Sequence, residues 1–248
     1  LCAHMLRIGR CEFVRSVCIA TFNGGRYLRE QLDSILSQLS AEDEVVISDD
    51  GSVDDTWDIL TEYAEKDKRI QLFSGPRQGL IANFGYAIQQ TKGDLIFLAD
   101  QDDVWLETKV KKITDYFEQN PDQLVVVSDL IIVDSELQEI HDSYFSFRNS
   151  KEGWLNNVIR SHYIGAGMAF RFSLKPDILP IPSEVPMHDM WIGLLGGKKT
   201  GFLREPLTLY RRHDLNASEI ETHSKLRQKI SWRVHLITAL IKRKWFKR

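Results

Sequence analysis

Cysteine is scarce in this chain: there are three in 248 residues, and Cys2, Cys11 and Cys18 all lie near the N-terminus. An odd, clustered set without metal-ligand spacing argues against a disulfide framework or a zinc site and for reduced thiols in a cytosolic protein. Long apolar runs are missing too. None approaches the ~18 residues that a membrane span needs, and residues 1–13 hold no apolar segment of the secretory-signal kind. Those residues begin on Leu1, with the first Met at position 5, and read as an extension outside the folded domain. Neither a Gly-x-Gly-x-x-Gly loop nor a Gly-Lys-Ser/Thr loop occurs, which argues against dinucleotide dehydrogenases and P-loop NTPases. Acidic residues stop at Glu221. Nine Lys and Arg follow it, so a tail of +9 stands against −12 for residues 1–224.

What is present is ordinary for a globular α/β protein, and the length suits one large domain with a C-terminal addition. Strand-like segments at 14–21, 44–48, 70–73 and 93–100 alternate with helical patterns at 26–39, about 54–66 and 80–91. That alternation with short loops predicts a mostly parallel, Rossmann-like sheet flanked by helices. A helix is predicted over 105–119, an apolar strand over 124–129 and an edge strand with a turn over 131–140. Residues 141–163 carry no clear pattern. A small-residue stretch at 165–170 enters a strand, 187–196 reads as a short helix, and 201–204 and 207–211 read as two final strands.

The chain is organised around FLADQDDVW, residues 97–105. An apolar run of this length reads as a buried strand, and carboxylates at its carboxyl end face the crevice where open α/β sheets bind ligands. Side chains alternate along extended backbone, so Asp100 and Asp102 can point the same way, as a hard divalent ion requires. The alternative is a solvated acidic turn. Loops after the first three strands carry Thr21 and Asn23, then Asp49 and Ser52, then Arg77. Hydroxyls, carboxylates and an Arg beside a metal site fit a nucleoside diphosphate, although Asp49 before Gly51 also fits a turn with a helix cap.

Four blocks, CIATFNGGRYLREQLDSIL, VVISDDGSVDDT, GLIANFGYAI and GDLIFLADQDDVW, resemble the N-terminal half of the family 2 glycosyltransferases, which have the GT-A fold. GAGMAF, MHDMWIG and LTLYRRHDLNAS resemble that family's second half, particularly its bacterial rhamnosyltransferase-like branch. The resemblance implies a domain over 14–218, with a nucleotide-sugar half at 14–130 and an acceptor half at 131–218. It implies that Thr21, Asn23, Asp49, Ser52 and Asn83 line the nucleotide pocket and that Arg77 approaches the phosphates. Asp100 and Asp102 would form the Asp-x-Asp motif holding Mn²⁺ or Mg²⁺, with Asp103 capping the next helix. His213 would contact the metal or diphosphate. Asp189 would be the general base, with Gly165, His188 and Trp191 on the acceptor side. At a helix N-terminus, the dipole would hold Asp189 ionised.

The implied reaction is inverting, metal-dependent transfer of a sugar from dTDP-rhamnose or a UDP-hexose to a hydroxyl of a lipid-linked or polysaccharide acceptor, in bacterial surface glycan synthesis. A sugar-phosphate nucleotidyltransferase is the enzymatic alternative, though it should carry a Gly-rich triphosphate loop. A non-catalytic glycan- or nucleotide-binding module is the other. The tail, 219–248, spaces Ile230, Val234, Ile237, Leu240 and Ile241 as an amphipathic helix between Trp232 and Trp245. Basic, aromatic and apolar features together describe a helix lying on an anionic membrane surface, which would make the protein cytoplasmic and peripheral on the inner face of the plasma membrane. The alternative is a helix packed on its own domain. With basic charge confined to the tail, a nucleic-acid partner is not expected.

Overall fold

The structure, a computed structural model, describes residues 13–213 and 226–245, with side chains of the last segment described from 233 to 243. The strands β1 (Arg15–Thr21), β2 (Glu44–Asp49), β3 (Ile70–Ser74) and β4 (Leu95–Ala99) run parallel in the order β3-β2-β1-β4. They are joined by α1 (Gly25–Leu36), α2 (Thr56–Lys66) and α3 (Leu80–Gln90). Alternation along each strand divides the core into two layers. Val17, Ile19, Val45, Ile47 and Phe97 pack under Leu28, Leu32 and Ile35 of α1 and Ile59 and Leu60 of α2. Cys18, Ala20, Val46, Ile96 and Leu98 pack on Phe84, Ala87 and Ile88 of α3. Cys18 is a buried free thiol; Cys2 and Cys11 lie outside the described residues.

Beyond β4 the sheet becomes mixed. The strands β5 (Val104–Trp105), β6 (Val125–Val133), β7 (Glu139–His141), β8 (Met168–Arg171) and β9 (Thr200–Arg211) extend it as β4-β8-β6-β9-β5, with β7 paired to β6. β8 is antiparallel to both β4 and β6, so β6 runs with β4, and β9 runs parallel to β6. The starts of β5 and β8 and the ends of β6 and β9 are thereby gathered at the carboxyl edge of β1, β2 and β4.

Three expectations about the elements themselves are corrected here. The helix expected from Trp105 starts four residues later, as α4 (Lys109–Gln119), because Val104 and Trp105 pair with Leu209 and Thr208 and the Trp105 N–H donates to Ser34 Oγ at 3.0 Å. Asp103 caps nothing: it is fully buried and its Oδ1 accepts the Arg211 N–H at 2.9 Å. The two final strands are one strand, β9, whose register against β6 shifts around Asp129 and Pro206. The boundary expected between residues 130 and 131 falls inside β6.

The patternless stretch folds as two short helices, α5 (Tyr144–Arg148) and α6 (Trp154–Ile159), followed by α7 (Lys175–Ile178) and α8 (His188–Gly196). The tail forms α9 (Leu226–Trp245), which packs on the α3 side of the core through Leu236 and Leu240. Arg233 donates to Ile159 O, and Arg243 donates to Leu179 O at 2.6 Å and to Pro180 O. Val234, Ile237 and Ile241 stay exposed along an adjacent stripe. Ile230, Trp232 and Trp245 lie outside the described side chains. Among the described residues no helix is long and apolar enough to cross a membrane.

Candidate active site

At the end of β1 and β2, Thr21, Asp49, Ser52 and Asn83 come together, but largely with one another. Asp49 Oδ2 accepts the hydroxyls of Thr21 at 2.8 Å and Ser52 at 2.5 Å, and its Oδ1 accepts the N–H groups of Gly51 and Ser52. Asn83 Nδ2 donates to Ser48 O at 2.8 Å and Thr21 O at 3.3 Å, while its Oδ1 accepts the Ser48 hydroxyl. Thr21, Asp49 and Asn83 are buried. Their polar atoms are spent on one another and on the adjoining backbone, so they brace the loops at this sheet edge. Such turns spend short polar side chains on their own backbone.

Asn23 is at the surface in a left-handed conformation, φ 49°, with its Oδ1 accepting the Val53 N–H at 2.9 Å. Arg77 is exposed, also left-handed at φ 59°, and its side chain crosses Gly51, where an added Cβ would meet Arg77 Nε at 2.9 Å. Phe22, which sequence reasoning passed over, is 55% exposed on this rim. Its N–H and C=O are clamped by the Gln101 side chain at 2.9 and 3.1 Å.

The acidic cluster follows β4. Asp102 Oδ2 lies 2.9 Å from His213 Nε2, and the His213 ring packs on Tyr27 with centroids 4.8 Å apart. Burial, followed by the nearby carboxylates of Asp102 and Asp189, pushes Asp100 up to about 7, against the pull of Lys109. Asp103 lies well above the usual carboxylate range for similar reasons, burial first and then Asp102 and Asp100. The Lys109 ammonium is drawn down to about 7 by burial, opposed by Asp103 and Asp100.

Arg211 fixes this loop. Its Nε donates to Asp102 O at 2.8 Å, Nη1 to Ser135 O at 2.6 Å and Nη2 to Glu30, and its guanidinium lies 4.4 Å from the centre of the Tyr27 ring. A planar five-donor fork suits this many-sided role. The signal available in the sequence was only that an Arg preceded His213.

Across the crevice, Gly165 opens a short 3₁₀ turn, Gly165–Gly167, and its N–H donates to Asp189 Oδ2 at 3.1 Å. The Met190 N–H bonds Asp189 Oδ1 at 2.5 Å. The dipole argument predicted a depressed carboxyl. Burial instead pushes Asp189 up to about 6, with these two N–H groups pulling the other way. His188 is buried against Phe84, ring centroids 4.0 Å apart, and burial drives its pKa down to about 3. A Cβ on Gly165 would come within 3.2 Å of His188 Nε2. Trp191 does not face an acceptor. It is fully buried, its Nε1 donates to Ile178 O at 3.0 Å, and Arg243 covers its ring.

Two carboxylates and an imidazole suit Mn²⁺ or Mg²⁺, ions that take few protein ligands and fill the rest with water and phosphate oxygens. Asp102 and His213 are already side by side, and Asp100 sits in a field of like charge that a cation relieves. Among the described residues no group of three or more His, Cys, Asp or Glu is placed to hold a metal ion by itself.

Several comparisons converge on this architecture. The family model "Glycosyl transferase family 2" matches residues 16–177. An uncharacterised glycosyltransferase of Nostoc sp. is 29% identical over 217 residues, which are 81% of this chain and 65% of that protein. Glycosyltransferase GlyA of Streptococcus pneumoniae is 34% identical over 106 residues, 41% of this chain but 15% of that one. The chain therefore spans under two thirds of both. Among solved structures, S. aureus TarS 1-349 in complex with UDP-GlcNAc superposes with a TM-score of 0.67 at 17% identity, over 92% of this chain and 73% of that one. The mannosyltransferase PcManGT of Pyrobaculum calidifontis, in complex with GDP-Man and Mn²⁺, superposes at 0.60 with 18% identity, over 93% and 64%. These likenesses give the fold, a mixed sheet of GT-A type, and with the family match over most of its length the chain belongs to glycosyltransferase family 2.

Proposed function

We propose that this protein transfers a sugar from a nucleoside-diphosphate sugar to an acceptor hydroxyl with inversion at the anomeric carbon. The observation that carries the reading is the meeting, at one sheet edge, of the Asp100–Asp102–His213 cluster with Asp189, a carboxylate raised to about 6 by burial. A carboxylate of that pKa is still ionised at neutral pH and is a better proton acceptor than an ordinary Asp, which is what a general base needs. Asp189 takes the proton of the acceptor hydroxyl as its oxygen attacks the anomeric carbon, while the nucleoside diphosphate leaves from the opposite face. The N–H groups of Gly165 and Met190 hold the carboxylate in place. No covalent intermediate forms, so one base suffices.

Asp100, Asp102 and His213 would hold the Mn²⁺ or Mg²⁺, which when bound supplies Lewis-acid stabilisation of the leaving diphosphate. Arg77, exposed beside Gly51, meets the phosphates. Asn23 and the rim of Phe22 receive the nucleoside, over a floor set by Thr21, Asp49, Ser52 and Asn83. His188 and Gly165 shape the acceptor side behind Asp189.

The reading extends to the acceptor. The stripe of Val234, Ile237 and Ile241, with the basic residues of the tail, lays α9 on an anionic membrane that carries a lipid-linked acceptor in surface glycan synthesis. Incubation with UDP-GlcNAc, UDP-glucose, GDP-mannose and dTDP-rhamnose, with and without Mn²⁺, tests the core of the reading. Metal-dependent release of nucleoside diphosphate from one of them supports it. No release from any, with no thermal shift on adding UDP, GDP or dTDP with Mn²⁺, overturns it.

A further inference from the structure

Lys109 is the first residue of α4 and is fully buried. Two local rules disfavour it there. A helix N-terminus carries partial positive charge and favours anions, and an ammonium taken out of water loses hydration that only close partners replace. A side chain retained against both is held by specific partners. Lys109 Nζ donates to Ala166 O at 2.6 Å and to Thr208 Oγ1 at 2.7 Å, and it lies 4.2 Å from the centre of the Trp105 ring.

These partners come from separate parts of the site. Trp105 follows the Asp100–Asp103 loop, and Thr208 is its partner in the β5–β9 pairing. Ala166 is the middle residue of the turn whose first residue, Gly165, holds Asp189. Thr208 Oγ1 also reaches Ala166 O, at 3.4 Å. The ammonium is thus the hub at which the helix after the carboxylate loop, the final strand and the base-holding turn are tied together.

We propose that Lys109 is a positioning residue for the reaction, fixing the Gly165–Gly167 turn so that Asp189 stands at the correct distance from the bound donor. The inference rests on the general-base reading of Asp189. It assigns the Lys109 contacts to the rate of the transfer step and leaves donor affinity to the β1, β2 and β4 loops. Displacing a catalytic group by about 1 Å can cost about 10²-fold in rate.

The test compares Lys109→Met, which keeps the length and loses the donor, with Lys109→Gln, which keeps a donor without the charge. Transfer kcat, donor KM, calorimetric binding of UDP with Mn²⁺ and the melting temperature are measured on each, beside Asp189→Asn. Expected for Lys109→Met is a kcat lower by about 10- to 10²-fold, with KM and UDP affinity within about threefold, and partial recovery in Lys109→Gln. A wild-type kcat in folded Lys109→Met overturns the inference, as does a parallel loss of kcat and UDP affinity in both variants. If Lys109→Met does not fold, Thr208→Val decides: a smaller fall in kcat at constant UDP affinity supports the inference, and an unchanged kcat overturns it. Normal transfer by Asp189→Asn would sink the general-base reading, and this inference with it. An inactive Asp189→Asn beside an unaffected Lys109→Met would sink this inference alone.

Discussion

His213 Nε2 and Asp102 Oδ2 are 2.9 Å apart although 111 positions separate the two residues in sequence. The contact exists because β9 runs parallel to β6 and ends at the carboxyl edge of β4. Asp102→Asn keeps the shape and the hydrogen bond but removes an anionic ligand. Expected is a folded protein whose calorimetric affinity for UDP with Mn²⁺ falls at least tenfold, while UDP binding without metal is unchanged. Unaltered Mn²⁺ dependence would remove Asp102 from the metal site.

Asp189→Asn is nearly isosteric and abolishes the proton acceptor. Transfer should fall by about 10²–10⁴-fold, the usual range for loss of a general base, with donor KM unchanged. In the wild-type protein kcat/KM should fall about tenfold per pH unit below about 6, because protonation of the raised carboxyl removes the base. A flat profile between pH 4.5 and 6.5 would show that another group takes the proton.

Arg211 ties Asp102, Ser135, Glu30 and Tyr27 together and is buried. Arg211→Met leaves several acceptors unpartnered and removes the charge opposing Glu30. Leaving the buried carbonyl acceptors without a donor costs about 1–3 kcal/mol, and the Glu30 carboxylate, more than half exposed, adds little. Urea unfolding should show that loss, and a change under about 1 kcal/mol would mean that water replaces the guanidinium.

The tail calls for a gentle variant. Deleting it would strip Leu236 and Leu240 from the core and leave Trp191 without its Arg243 cover. Replacing exposed Val234, Ile237 and Ile241 with Ser should instead keep the melting temperature within a few degrees while abolishing sedimentation with phosphatidylglycerol vesicles. Retained vesicle binding in low salt would assign the interaction to the tail's charge alone.

The first half of the fold was legible because strand, loop and helix follow each other in sequence order, so the apolar periodicity of 14–100 maps directly onto β1 to β4. In the second half the strands near 124–129 and 165–170, the helix at 187–196 and the strand character of 201–211 were legible too, but their order was not, because they enter the sheet out of sequence and the pairing partner decides the backbone. Val104 and Trp105 have a helical neighbourhood in sequence, yet β9 recruits them as a strand. The site followed the same division. Asp100, Asp102, Asp189 and His213 were visible as motif residues. Which polar residues face inward was not, and Thr21, Asp49 and Asn83 are buried under the loops, as Trp191 is in the core. Lys109 and Arg211 were missed because a charged residue in sequence carries no sign of burial. The direction of the Asp189 shift was missed for the same reason: desolvation outweighs the helix dipole once the carboxyl is enclosed.

The position of β8 has a consequence for evolution and engineering. β8, which follows β6 in the chain, lies between β4 and β6, and β6 itself spans Val125–Val133, across the boundary that the motifs suggest. The two halves are therefore interwoven and cannot be exchanged as modules. A chimera spliced near residue 130 would join two half-strands whose neighbours were selected in different parents. Such a chain should diversify by substitution in the segments that connect its strands rather than by exchange of halves, because any crossover between β6 and β8 also sets β8 from one parent between β4 and β6 of the other.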